Sequence, residues 1–162
     1  MARGVWAFVD MPGRVGEESL TSLSLLVNPH SYVSLESVFR YHDLIPEEVY
    51  ITTCVTTQKT QRITTPHGIL SYKKIPSRTY IGYEIYTHEG RHYHRATLEK
   101  ALLDYLWLHK DVSDRVDFEE LRWNIFVLKG CDTELLRNWS ILYGTIPYLR
   151  RVQNLITYIQ SL

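Results

Sequence analysis

The hydrophobic and polar positions alternate along the first part of the chain and form helical stripes from about residue 97 onward. At the start, "GVWAFVD" (Gly4 to Asp10) sets Val5, Ala7 and Val9 against Trp6 and Phe8, a period of two that predicts a strand. A loop, "MPGRVGEE", leads to "SLTSLSLLV" (Ser19 to Val27), which reads as a short helix. "NPHS" interrupts it, and a second helix follows with Ser34 as the expected N-cap and Glu36 near the positive end of its dipole. Leu35, Val38, Phe39 and His42 then fall on one face, and Pro46 ends the helix because it disfavours helical backbone at Ile45.

The centre reads as strands. "VYITTCVTT" (Val49 to Thr57) is β-branched but polar at alternate positions, a pattern that predicts a half-exposed strand and not a buried parallel one. "QRITTPHGILSYKKI" (Gln61 to Ile75) reads as two strands joined at Thr65-Pro66-His67-Gly68. "TYIGYEIYT" (Thr79 to Thr87) predicts another, and Glu89-Gly90 turns the chain into a further short one. In "TLEKALLDYLWLHK" the period becomes helical: Thr97 caps, Glu99 and Lys100 are expected on the solvent side, and Leu98, Ala101, Leu102, Tyr105 and Leu106 form the apolar stripe. Asp117 and Asp132 are the expected caps of the next two helices, Gly144 a stop, and Pro147 is tolerable in the first turn of the last helix. The expected fold is a single α+β domain over residues 1–162. An antiparallel β-meander of four to five strands carries a short N-terminal helical pair, and a C-terminal helical cluster packs on it.

Composition narrows the function. The 18 basic and 18 acidic residues cancel, so no global positive field is available for nucleic acid or membrane. No apolar run is long enough to span a bilayer, and the N-terminal apolar run is too short for a secretion signal; the cytoplasm is the default expectation. Cys54 and Cys131 lack CxxC spacing and read as ordinary thiols. Tyrosine is frequent, at 12 residues, which suits half-buried strands or a partner-binding face. Tyr80, Tyr83, Tyr86 and Tyr93 are open to either use.

No catalytic site emerges. "SYVSLESVFRYHDLIPEE" holds three serines and a histidine, yet Ser31, Ser34 and Ser37 lack the flanks of a nucleophile elbow. His88, His92 and His94, with Glu89, are the best metal candidates, but no second cluster complements them, so neither a metal nor a cofactor is expected. Phosphate-binding glycine loops are missing. The basic residues Lys59, Arg62, Lys73, Lys74, Arg78, Arg91 and Arg95 gather around the predicted strands, where acidic residues are scarce between Thr52 and Ile81. They are candidates for a partner-binding surface, with protection of strand edges as the other reading. Arg150 and Arg151 read as a solvated helix face.

Three segments, "SYVSLESVFRYHDLIPEEVYITTCVTT", "TPHGILSYKKIPSRTYIGYE" and "RATLEKALLDYLWL", resemble the AbiEi family of bacterial antitoxins, over roughly Gly4 to Asn124. The strongest parts are "YVSLESVFRYHDLIPE", the "TPHG" turn and "A-x-x-EKALLD" at Ala96 to Asp104, and none of them is a catalytic motif. The resemblance implies a non-enzymatic antitoxin of a type IV, abortive-infection toxin–antitoxin system directed at phage. Its partner would be a nucleotidyltransferase-like toxin, or that toxin's RNA target. In the family's usual architecture an N-terminal winged helix-turn-helix precedes the region matched here and represses the operon as a transcriptional regulator. Residues 1–10 look like the last strand of such a module. Operator DNA is accordingly expected as a partner only if a winged helix is supplied separately or the basic strands bind it themselves.

Overall fold

A computed structural model describes residues 17–47 and 50–162. The strand expected over Gly4 to Asp10 lies outside the described residues. The class is α+β, as the pattern implies: a six-stranded sheet, a short N-terminal helical pair and a C-terminal set of helices packed on it.

Helices α1 (Glu17–Ser22) and α2 (Ser24–Val27) form the pair. The segment expected to break before the next helix instead forms a short strand, β1 (Ser31–Val33), wholly buried. Helix α3 (Glu36–Tyr41) follows it, then β2 (Ile51–Thr56), β3 (Gln61–Thr65) and β4 (Gly68–Lys74). After a 3₁₀ turn at Ser77–Thr79 come β5 (Tyr83–His88) and β6 (Arg91–Ala96), so the strand expected from Thr79 starts four residues later. The sheet order is β3-β4-β2-β1-β6-β5.

The hairpins β3–β4 and β5–β6 are antiparallel, as expected, but β2 runs parallel to β4 and β1 parallel to β6, so the sheet is mixed rather than a meander. Side-chain chemistry explains the exchange of neighbours. β4 carries Leu70 and Tyr72, both fully buried, with the Tyr72 hydroxyl donating to the Ser24 carbonyl at 2.8 Å. β3 ("QRITT") has no fully buried residue, so it takes the edge while β4 moves inside against β2. The polar alternation of β2 is compatible with this interior place because the Thr53 and Thr56 hydroxyls are satisfied. Thr56 Oγ1, for example, donates to the His30 carbonyl at 2.9 Å and accepts from Asn28 Nδ2 at 3.1 Å.

The start of α3 differs from the expected cap. Leu35, at φ 61°, occupies the N-cap position, a left-handed region that costs a branched side chain some strain. Ser34 points elsewhere, as described below. Where β1 stops, Ser37 takes over its ladder: its Oγ accepts from the Thr53 N–H at 2.9 Å and donates to the Ile51 carbonyl at 3.4 Å.

Helix α4 (Leu98–Leu108) is capped by Thr97, as the sequence implies. Asp114, not Asp117, caps α5 (Arg115–Glu120); Asp117 is the reciprocal third residue of a capping box. Positive φ at Arg122 ends that stretch, and Asn124 caps α6 (Ile125–Lys129). Asp132 caps α7 (Thr133–Ser140), Gly144 adopts φ 74° as a stop, and α8 (Ile146–Ser161) carries Pro147 in its first turn, all as read from the sequence. No helix among the described residues is long and apolar enough to cross a membrane.

Candidate functional site

The residues with the most chemistry are buried beneath α4. This helix buries Leu98 and every position from Lys100 to Leu106, which leaves no room for the solvated face expected at Lys100. Lys100 and Asp104 are both completely buried and paired one turn apart. Lys100 Nζ also donates to the Tyr143 hydroxyl at 2.7 Å, and that hydroxyl donates to Asp104 Oδ1 at 2.6 Å. The other carboxylate oxygen, Oδ2, accepts from the Tyr32 hydroxyl and from Ser34 Oγ, each at 2.9 Å.

Ser34 is therefore a partner of Asp104 rather than a helix cap. The network closes: one ammonium, one carboxylate and three hydroxyls satisfy each other across β1, α4 and the turn before α8. Burial, then the Asp104 charge, raises the Tyr32 and Tyr143 phenols well above their ordinary range. Burial lowers Lys100, opposed by Asp104. Gly82, at φ 73°, lies against this helix so closely that a Cβ there would meet Trp139 at 2.8 Å and the Lys100 stem at 3.0 Å. With no exposure at Lys100 or Asp104, a substrate has no route to these groups, and their chemistry is that of a structural bolt.

The seven basic residues divide into four kinds. Lys59, Arg62, Lys73 and Lys74 are exposed on β3, β4 and the loop before β3. Arg62 pairs in register with Ser71, two residues before Lys73, so these two cations share a sheet face. Lys74 belongs to the opposite face, beside Thr56. Arg91 lies at the β5–β6 turn, 3.9 Å from Glu89. Arg78 is exposed but acts as a clamp, with Nε donating to the Leu142 carbonyl at 2.6 Å and Nη2 to the Tyr143 carbonyl at 2.9 Å. Arg95 is 6% exposed and cannot belong to an outer contact surface as the strand pattern implied.

A groove of about 800 Å³ opens on the face shared by Arg62 and Lys73. Thr53 and Ser71 form part of its lining, and Tyr50, 85% exposed, stands at it. Glu36 and Glu47 also line it, so the field there is mixed rather than uniformly positive.

The histidines are dispersed among other tasks. His92 shares a hydrogen bond with Thr87 Oγ1 at 2.9 Å, His94 stacks on Tyr83 at 4.7 Å, and His88 lies 3.9 Å from Glu89. Among the described residues no group of three or more His, Cys, Asp and Glu side chains is placed to hold a metal. The tyrosines of the central strands are largely internal: Tyr80 and Tyr83 pack on Tyr32, and Tyr86 stacks on Tyr93. Arg151, expected on a solvated face, donates through Nη1 to the carbonyls of Leu106 at 2.6 Å and His109 at 3.0 Å, closing the end of α4.

The sequence reading missed the Lys100–Asp104 bolt although a signal was present. Apolar residues at 98, 101, 102, 103, 105, 106, 107 and 108 surround nearly the whole helix, and a charged pair four apart within such a run is expected to be buried with it. No protein-family model matches the chain, and no curated protein is significantly similar to it.

Proposed function

We propose that this chain is a non-catalytic antitoxin domain of a bacterial abortive-infection system, acting in the cytoplasm on a nucleotidyltransferase-like toxin or on that toxin's RNA target. One observation carries the reading. Tyr32, Ser34, Lys100 and Asp104, which belong to the segments that resemble AbiEi antitoxins, meet in one closed, buried network although the two pairs lie about 70 residues apart. A motif made of buried scaffold residues is what a shared fold without shared catalysis would leave in a sequence. The exposed cations at this end of the sheet, Arg62 and Lys73 on one face and Lys74 on the other, with Lys59 in the loop before β3, are the positions through which we expect the partner to be held.

The test is growth of cells that express the neighbouring toxin gene, with and without this chain supplied in trans. Rescue is expected, and so is its loss on joint reversal of Arg62, Lys73 and Lys74 to glutamate. A soluble, folded chain that gives no rescue would overturn the proposal. Arg78 is unsuitable for such reversal, because it clamps two carbonyls and its loss would perturb the fold.

The same four cations favour a second reading, a transcriptional autoregulator that meets operator DNA through its basic strands or through a separately supplied winged helix. Counterion release makes the two distinguishable: DNA affinity that falls steeply with salt supports the regulator.

A further inference from the structure

A second buried charge lies on the other side of the sheet, at Arg95 in β6. Its neighbour in register on β1 is Val33. The guanidinium is sandwiched, with its carbon 3.3 Å from the Tyr41 ring centroid and 3.8 Å from that of Tyr86. Both flat faces are thereby closed, which leaves the edge of the group, where its N–H donors lie. Along that edge Nη1 reaches the Tyr93 hydroxyl at 3.5 Å, the limit of a hydrogen bond, and Nε is buried without any partner.

Cation–π contacts stabilise the charge but leave the Nε–H group unsatisfied. Nor does a carboxylate among the described residues pair with it. Glu84, opposite in register on β5, accepts instead from the Tyr86 hydroxyl at 2.7 Å. Asp43 pairs with Arg40 at 3.2 Å.

Arg95 lines a pocket of about 250 Å³ together with Thr21, Ser37, Arg40, Tyr41 and Asp43. Among the described residues this pocket is lined by two guanidinium groups and one carboxylate, and Arg95 contributes the positive charge that no described carboxylate pairs. His42 senses that charge: burial first, then Arg95, lower its pKa.

We propose that this pocket binds a carboxylate, held by the free edge of Arg95. The guanidinium edge presents parallel N–H donors spaced for the two oxygens of a carboxylate. A carboxylate brings one negative charge to Arg95, whereas a phosphate dianion would bring two to a pocket that already holds Asp43. The volume suits a small organic acid or one inserted aspartate or glutamate side chain, not a drug-sized ligand. This proposal stands independently of the antitoxin reading.

The test is a titration of the full chain followed through the ¹⁵N resonance of the Arg95 Nε–H group, assigned by its disappearance in Arg95→Lys. Sodium acetate and a capped peptide with a single glutamate are added separately, with sodium chloride at matched ionic strength as control. A saturable shift with acetate or peptide but not with chloride is expected. Tenfold tighter binding of the peptide identifies a protein side chain as the source; equal or tighter binding of acetate identifies a free acid.

Absence of a saturable shift from both, or one that chloride reproduces, overturns the proposal. Asp43→Asn provides a check that does not touch Arg95. The Asp43 side chain is 81% exposed, and asparagine accepts its φ of 56° readily. Removing that competing carboxylate is expected to tighten acetate binding several-fold. Unchanged affinity in this variant would place the acetate elsewhere and equally overturn the assignment.

Discussion

Lys100 and Arg95 are both cations removed from water, yet they are compensated in opposite ways. Lys100 has a carboxylate in contact and hydroxyls around it, so both charges and all three hydroxyls of its network have partners inside the chain. Arg95 has two aromatic faces and an orphan N–H. The first arrangement ties three segments together and leaves nothing for an outside molecule. The second keeps a charge and a donor in reserve at the wall of a pocket. Burial alone therefore does not distinguish a structural charge from a binding one; the completeness of its hydrogen bonding does.

Breaking the complete network has the largest expected effect. Asp104→Asn leaves Lys100 buried without a counter-charge and is expected to cost about 3–5 kcal/mol in denaturant-induced unfolding. Adding Lys100→Met to that variant should recover part of the loss, because the uncompensated ammonium is gone. A double variant less stable than Asp104→Asn would show that the lysine is not destabilised by loss of its partner.

Alkaline pH attacks the same region. The Tyr32, Tyr143 and Tyr148 phenols are held well above their usual range, chiefly by burial and then by the Asp104 charge. Above about pH 10 the unfolded chain releases these protons and the folded chain keeps them, so stability falls as pH rises, by about 1.4 kcal/mol per pH unit for each such tyrosine. Cys131, pushed up to about 12 by burial, acts in the same sense from about pH 9. Lys100, whose pKa is lowered by burial, opposes them, since only its unfolded form holds the extra proton over the window between the two values. Urea midpoints between pH 8 and 11 should fall with increasing slope. Replacing Tyr32 or Tyr143 by phenylalanine should flatten that slope and, at pH 7, cost about 1–2 kcal/mol for the lost hydroxyl.

How far the sequence revealed these features depends on how local each one is. The β3–β4 and β5–β6 hairpins, the caps at Thr97 and Asp132 and the stop at Gly144 are decided within a few residues, and each was readable. The parallel pairing of β2 with β4 is decided by Tyr72 reaching Ser24, 48 residues away, and no local pattern announces such a contact. Ser34 is a strong capping residue by type, but the Asp104 carboxylate 70 residues on competes for its hydroxyl and wins. The exposed part of the basic group was likewise readable, because charge density is a local property. The removal of Arg95 and the diversion of Arg78 from that group depend on Tyr41, Tyr86 and the carbonyls of Leu142 and Tyr143, all contributed by other segments.

The incomplete site should respond more mildly than the complete one. Arg95→Met removes the desolvated charge and only one hydrogen bond, to Tyr93 at the distance limit, so the lost cation–π contacts are offset in part and the net change is expected within about 1 kcal/mol. A loss as large as that of Asp104→Asn would show that Arg95 is structural after all, and the contrast between the two cations would disappear.

The smallest effect on stability is expected where the effect on function is expected to be greatest. Lys73 and Lys74 are exposed at the end of β4, and neither ammonium pairs with a carboxylate among the described residues. Reversing both to glutamate should change unfolding free energy by no more than about 0.5 kcal/mol. If the partner-binding reading is right, toxin neutralisation fails in the same variant while its unfolding curve overlays that of the parent. Lysines that serve only to deter pairing at the end of β4, where it runs past β3, would give another result. Glutamate also repels a neighbouring strand, so neutralisation would survive the reversal and the protein would remain equally soluble. The pair of measurements thus separates a charge retained for a partner from one retained against self-association, as the hydrogen-bond inventory separates Arg95 from Lys100.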